Sequence, residues 1–141
     1  NDDPLIIANS DQYIVWNSSK ALYEFNTKKL DGAILTFEAI HPKWSYAKCD
    51  KDGYVTEVAE KKVISKNATV GVYYWKNGSD YVKSAEQMIK KNIRVNNEFY
   101  VCPVYNEFLL KNKKVKIHNV EKMYGLGTPE DLDNFKRNFE K

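Results

Sequence analysis

Apolar and polar positions along this chain alternate between two periods. Leu5-Ile6-Ile7-Ala8 is a continuous apolar run closely followed by Asp11, the form of a buried parallel strand that delivers a carboxylate to its carboxyl end. From about Ser18 to Thr27 the period is helical, with Ala21, Leu22 and Phe25 on one face. Asp31-Gly32 is a turn, and Ala33–Ala39 is again a buried strand. Trp44–Cys49 and Tyr54–Ala59 flank Asp50-Lys51-Asp52-Gly53, whose Asp-Gly step predicts a hairpin. Thr69–Trp75 is the next strand. A helix follows from about Ser79, its N-cap, to Lys91, with Tyr81, Val82, Ala85, Met88 and Ile89 as its apolar stripe.

Pro103 suits the first turn of a short helix through Leu110 that buries Val104, Phe108 and Leu109. Val115–Ile117 is a strand. The last helix has Thr128 as N-cap, Pro129 at its first position, Glu130 and Asp131 against the dipole, and Leu132, Phe135 and Phe139 inward. With no repeat or linker, this order predicts one α/β domain with a mixed, mainly parallel sheet and flanking helices.

Composition narrows the functional classes. Apolar residues make up 43% and charged residues 29% of 141 positions, as in globular domains. The net charge of +3 is spread over short clusters such as Lys111-Asn112-Lys113-Lys114, not a stripe of the kind nucleic acid needs, so no nucleic-acid partner is expected. No apolar run approaches the ~20 residues of a membrane span, and no signal-peptide pattern opens the chain. Cys49 and Cys102 are far apart and lack metal-ligand spacing, which fits free thiols in a reducing, cytoplasmic setting. His41 and His118 are isolated.

Four segments hold candidate chemistry. Asp11 after its apolar run is either a metal ligand or a turn and cap aspartate. Val55-Thr56-Glu57-Val58-Ala59-Glu60-Lys61 ends in an adjacent acid and base. Glu60 could accept hydrogen bonds from hydroxyls and Lys61 could hold a phosphate, or both could be a solvated strand end. Ala68–Trp75 has Gly71 inside it, marking a bulge or the close approach of a ligand. Tyr124-Gly125-Leu126-Gly127-Thr128-Pro129-Glu130-Asp131-Leu132 opens the last helix. A further cluster, Asn96-Asn97-Glu98-Phe99-Tyr100, either caps a loop or turns Asn97 and Glu98 toward substrate hydroxyls.

In this order and spacing, the segments resemble the nucleoside-diphosphate-sugar pyrophosphorylases, which are nucleotidyltransferases, from Leu5 to about Phe135. The resemblance implies a Rossmann-like, GT-A-like nucleotidyltransferase fold. The reaction it implies is transfer of a nucleoside monophosphate from a triphosphate to a sugar phosphate, with release of pyrophosphate, in nucleotide-sugar and polysaccharide biosynthesis. On the matching positions, Asp11 would hold Mg²⁺, Lys61 the sugar-linked phosphate and Glu60 the sugar hydroxyls, while Gly71 and Tyr73 would line the pocket. The family's Gly-x-Gly-x-Arg loop has no counterpart in these residues, and Gly125 stands where many members carry a second metal aspartate. Glu98 is a candidate replacement for that carboxylate. Residues 1–141 are therefore expected to be the acceptor-substrate half of the domain, inactive alone, associating with another copy or with the nucleotide-binding half. The alternatives are a non-catalytic sugar-phosphate-binding or regulatory relative and a GT-A-type glycosyltransferase.

Overall fold

A computed structural model of the chain describes residues 2–139, with the side chain of Phe139, expected on the inner face of the last helix, outside the described part. The described elements are β1 (Leu5–Ala8), β2 (Gln12–Val15), α1 (Ser18–Thr27), β3 (Gly32–Glu38), β4 (Ser45–Cys49), β5 (Val55–Glu60), β6 (Asn67–Trp75), α2 (Gly78–Lys90), α3 (Val104–Leu109), β7 (Val115–Asn119), β8 (Lys122–Gly125) and α4 (Pro129–Phe139). No described helix is long and apolar enough to cross a membrane.

The main sheet runs β5-β4-β6-β3-β7, with β1 also paired to β6. β1, β3 and β4 are each antiparallel to β6, β7 is parallel to β3, and β5 is antiparallel to β4. Strands β1, β3, β4 and β7 thus share one direction, as expected of a mainly parallel sheet. Because β6 runs against them in the middle, β3–β7 is the only parallel hydrogen-bonded pair among the described strands.

This arrangement corrects the expectation for Leu5–Ala8. β1 is an antiparallel neighbour of β6, not a parallel strand, and it is not buried on both faces. Leu5 and Ile7 pack on the core, whereas Ile6 is 47% exposed.

Helices cover both faces of the sheet. On one, α2 and α3 bury Met88, Val104, Tyr105 and Phe108 against Ile34, Trp75 and Val115. Tyr105 stacks on Trp75 with ring centroids 4.1 Å apart and donates to the carbonyl of Tyr74 at 2.8 Å. Its hydroxyl therefore has a partner inside the core. On the other face, Ala21 and Phe25 of α1 meet Ala33, Leu35, Val70 and Tyr74. Strands β3 and β6 lie between these layers, which is why their sequences are continuously apolar.

The expected stripe of α2 is narrower than its periodicity suggests. Tyr81, Ala85 and Met88 face inward, but Val82 and Ile89 are about half exposed, because only one side of this helix meets the sheet. Leu22 on α1 and Leu132 on α4 are likewise exposed by more than a third. The N-cap of α2 is Asn77, not Ser79.

Two features position the site. First, β3 takes one edge of β6 and leaves the other to β1 and β4, which lie end to end: Ala8 stands opposite Val72 and Tyr46 opposite Ala68. Between those ends the edge of β6 has no strand beside it. Second, β2 and β8 form a small antiparallel ribbon, with Gln12 opposite Gly125, that the sequence pattern did not predict. It brings Asp11 next to the start of α4, and the Leu126 amide donates to the Asp11 carbonyl at 2.7 Å.

Candidate functional site

A cavity of about 530 Å³ opens where β1 stops and β4 begins. Its floor is the stretch of β6 around Thr69 and Gly71. The end of β1 contributes Asn9 and Asp11, the start of β4 contributes Lys43, Trp44 and Ser45, and the end of β5 contributes Glu60. Tyr100 and Cys102 close one side, and Gly125, Gly127 and Asp131 another.

Four of the expected residues, Asp11, Glu60, Gly71 and Tyr73, line this cavity. Glu60 is opposite Ser45 in the β4–β5 register, and the Ser45 hydroxyl donates to its carboxylate. The end of β5 is fixed by Asn106 of α3, whose side chain accepts from the Val58 amide at 2.9 Å and donates to the Val58 carbonyl at 2.8 Å. Tyr73 is buried, with its hydroxyl 3.1 Å from the hydroxyl of Thr69. Burial pushes Tyr73 and the neighbouring Cys102 thiol up, so both are neutral hydrogen-bonding groups in the wall.

Gly71 has a left-handed φ of 80°. The pairing of β3 with β6 shifts register just here, between Ile34 and Thr36, so the glycine marks an irregularity in the sheet. A Cβ at this position would meet the side-chain amide of Asn9 and stand 2.8 Å from its Cγ. Within the protein the close neighbour of Gly71 is therefore Asn9.

Lys61, Asn97 and Glu98 stand outside the cavity wall. Lys61 follows β5 with φ 56°, and its exposed side chain lies beside Tyr100 of the cavity wall. Its ammonium donates to the Tyr100 hydroxyl at 2.9 Å, the main reason its pKa is raised. Asn97 has φ 65° and accepts from the Arg94 guanidinium through its backbone carbonyl at 3.2 Å, as a loop residue does. Glu98 is exposed and forms an isolated backbone bridge with Val95.

The carboxylate next to Gly125 is that of Asp131, not Glu98. Asp131 Oδ2 lies 3.5 Å from where a Cβ at Gly125 would be, and Asp11 Oδ2 lies 3.1 Å from the corresponding point at Gly127. Absent side chains at these two glycines leave room for both acids. The amide of Asp131 donates to Thr128 Oγ1 at 3.1 Å, the N-cap bond expected of Thr128, which fixes the acid in the first turn of α4. The sequence marked Asp131 only as a helix-start acid. Lys43 and Trp44 carried no motif. Gln12, also in the wall, has a buried Nε2 without a partner, a donor that a bound oxygen would satisfy.

Burial is the main cause that pushes the Glu60 carboxyl above its ordinary value of 4.5, against smaller opposing effects of Ser45 and Lys61. The folded state then holds this proton more tightly than the unfolded chain, so Glu60 costs stability as pH rises through the interval between the two values. Glu60→Gln should flatten that part of the stability profile and melt no lower than the parent at neutral pH. Thermal melts from acid to neutral pH would show it; a variant that follows the parent's pH profile would refute this environment for Glu60.

No family model and no curated protein matches the sequence. Solved structures do. The nucleoside-diphosphate-sugar pyrophosphorylase from Vibrio cholerae RC9 superposes with a TM-score of 0.80 at 22% identity, over 96% of this chain and 56% of that one. An apo UDP-glucose pyrophosphorylase superposes with a TM-score of 0.77 at 13% identity, over 99% of this chain and 55% of that one. The chain spans a little over half the length of each. Its strands and helices are thus arranged as in these two structures, and the chain shares their fold.

Proposed function

We propose that this chain forms the acceptor-substrate part of a nucleotidyltransferase that joins a sugar (or polyol) phosphate to a nucleoside monophosphate taken from a triphosphate, with pyrophosphate leaving. The observation that carries this reading is the cavity between the ends of β1 and β4, which gathers Asp11, Glu60 and Asp131 from three distant segments. Phosphoryl and nucleotidyl transfer need two polyanions aligned and their charge neutralised, with little covalent help from protein.

Mg²⁺ fits this donor set. Asp11 and Asp131 flank the bare Gly125–Gly127 backbone, and no cluster of three or more metal-ligating side chains occurs among the described residues. Such a site leaves most ligand positions to water and phosphate oxygens, which suits Mg²⁺. When bound, the ion would neutralise phosphate charge. Glu60, held by Ser45, would accept from the acceptor's hydroxyls, and Gln12 Nε2 would donate to a phosphate oxygen. The triphosphate would be held by a glycine-rich loop outside these residues, so residues 1–141 alone would not turn over. Association with that half or with a second copy is part of the proposal, and the outer edge of β1, unpaired among the described strands, favours it, as does the exposed Ile6.

The deciding experiment is pyrophosphate release by the complete enzyme from a panel of triphosphates and sugar phosphates with Mg²⁺. Release dependent on both substrates is the expected result. Transfer from a nucleotide sugar would instead mark a glycosyltransferase, and binding without release a regulatory relative. Asp131→Asn should weaken Mn²⁺ binding, read by electron paramagnetic resonance, by about tenfold or more. An unchanged Mn²⁺ affinity would remove Asp131 from the site.

A further inference from the structure

We propose that Tyr100 completes a phosphate contact with Lys61. Its hydroxyl holds the Lys61 ammonium at the rim of the cavity and gives its own proton to the same phosphate of the acceptor. This inference rests on the reading that the cavity receives a phosphorylated acceptor whose phosphate meets the lysine at the end of β5.

Position is the first argument. Lys61 stands at the rim with wall residues on several sides. Glu60 precedes it in the chain, the Trp44 carbonyl accepts from its backbone amide at 3.1 Å, and the Tyr100 hydroxyl accepts from its ammonium at 2.9 Å. The same ammonium lies 5.0 Å from the centroid of the Tyr100 ring. A long, exposed side chain is thus tied to the wall at both its backbone and its tip, where an entering phosphate can reach it.

Hydrogen-bond accounting is the second. An ammonium has several donors and no acceptor, so Lys61 keeps N–H groups to spare after serving Tyr100. The Tyr100 oxygen accepts that bond, and no described residue accepts from its O–H. Spare N–H groups and one O–H therefore lie on adjacent atoms, an arrangement suited to an anion with several acceptor oxygens. The bond to Tyr100 is also the largest influence raising the Lys61 pKa, and Glu60 and Glu98 add smaller ones, so the cation stays charged.

Preorganisation is the third. Asn96 and Asn97 take left-handed φ values of 50° and 65°, which asparagine tolerates. Val95 and Glu98 exchange backbone hydrogen bonds at 2.9 and 3.0 Å. The Arg94 guanidinium donates to the Asn97 carbonyl at 3.2 Å and lies 4.1 Å from the centroid of the Phe99 ring. This tight loop presents Phe99 and Tyr100 to the cavity. A hydroxyl and an ammonium fixed before binding lose little freedom when the phosphate arrives.

The test compares the protein with Tyr100→Phe, which keeps the ring and loses only the hydroxyl. Carbon-13 labelling of lysine gives a Cε resonance for Lys61, assigned with Lys61→Arg, and inorganic phosphate is titrated against it. We expect a saturable shift in the parent and a dissociation constant weakened by about tenfold or more in Tyr100→Phe, because a hydrogen bond to a charged group is lost. The Lys61 pKa should also fall in that variant, whereas a tyrosine that only fills the loop would leave it in place. Matching thermal melts check the fold. A Lys61 resonance that phosphate does not move, or equal phosphate affinity in Tyr100→Phe, would overturn the proposal. Pyrophosphate release by the complete enzyme with an unaltered KM for the sugar phosphate in Tyr100→Phe would sink this contact and leave the transferase reading. Phosphate binding that depends on Tyr100, without pyrophosphate release, would do the reverse.

Discussion

Gly71→Ala should destabilise the protein by ~2–6 kcal/mol and close part of the cavity. Two costs combine. The left-handed φ of 80° is strained for any residue with a Cβ, at ~1–3 kcal/mol. The new methyl group would also collide with the Asn9 side chain, and overpacking of this kind costs ~1–3 kcal/mol. The Asn9 backbone is held there, because its N–H donates to the Gly71 carbonyl at 2.9 Å, so only rotation of the Asn9 side chain could relieve the contact. The two costs separate in a double-mutant cycle. Asn9→Gly in the Gly71→Ala background should recover the steric part and leave the backbone part. Chemical denaturation of the four proteins is the measurement; a Gly71→Ala change below ~0.5 kcal/mol would mean that this segment relaxes freely.

Asp11→Asn should fold like the parent and lose activity by ~10²–10³ in the complete enzyme, the scale of removing one electrostatic stabiliser of a transition state. Folding is spared because Asp11 is exposed and its backbone carbonyl, not its carboxylate, accepts from Leu126. Activity is lost because an amide occupies the same space without the negative charge that a hard divalent cation requires. Paired melts and pyrophosphate-release assays over a range of Mg²⁺ concentrations test both halves. Full turnover with unaltered metal dependence would return Asp11 to the role of a turn aspartate.

Much of this fold was legible in the chain. Strands β3 and β6 announced themselves because helices cover both their faces, and the β4–β5 hairpin because of Asp52-Gly53. Helix α1 matched its expected bounds, and Thr128 capped α4 as its position suggested. What failed did so for lack of local signal. β2 and β8 are four residues each, and their pairing joins Gln12 to Gly125 across most of the sequence. β1 looked like an interior strand because apolar content does not say how many faces are covered. In the site, Glu60 could be read from the strand end that carries it. Lys61 follows it directly through a left-handed turn, and its contact with Tyr100, far along the chain, could not be read from the sequence. Asp131 was invisible as a partner of Asp11 because only the β2–β8 ribbon brings the start of α4 beside it.

The end-to-end seating of β1 and β4 has a kinetic consequence. β6 is the one strand that β1 and β4 both touch, and Ala8 must find Val72 from far along the chain. The walls cannot take up their spacing until β6 is in place and both ends have docked on it. Contacts this distant in sequence form slowly, because loop-closure entropy is spent before they return any energy. The pocket should therefore be among the last regions to acquire amide protection during refolding, well after the β4–β5 hairpin. Its width is set by hydrogen-bond register, so a one-residue slip of β1 would move Asp11 by about 3.4 Å and turn it to the opposite face.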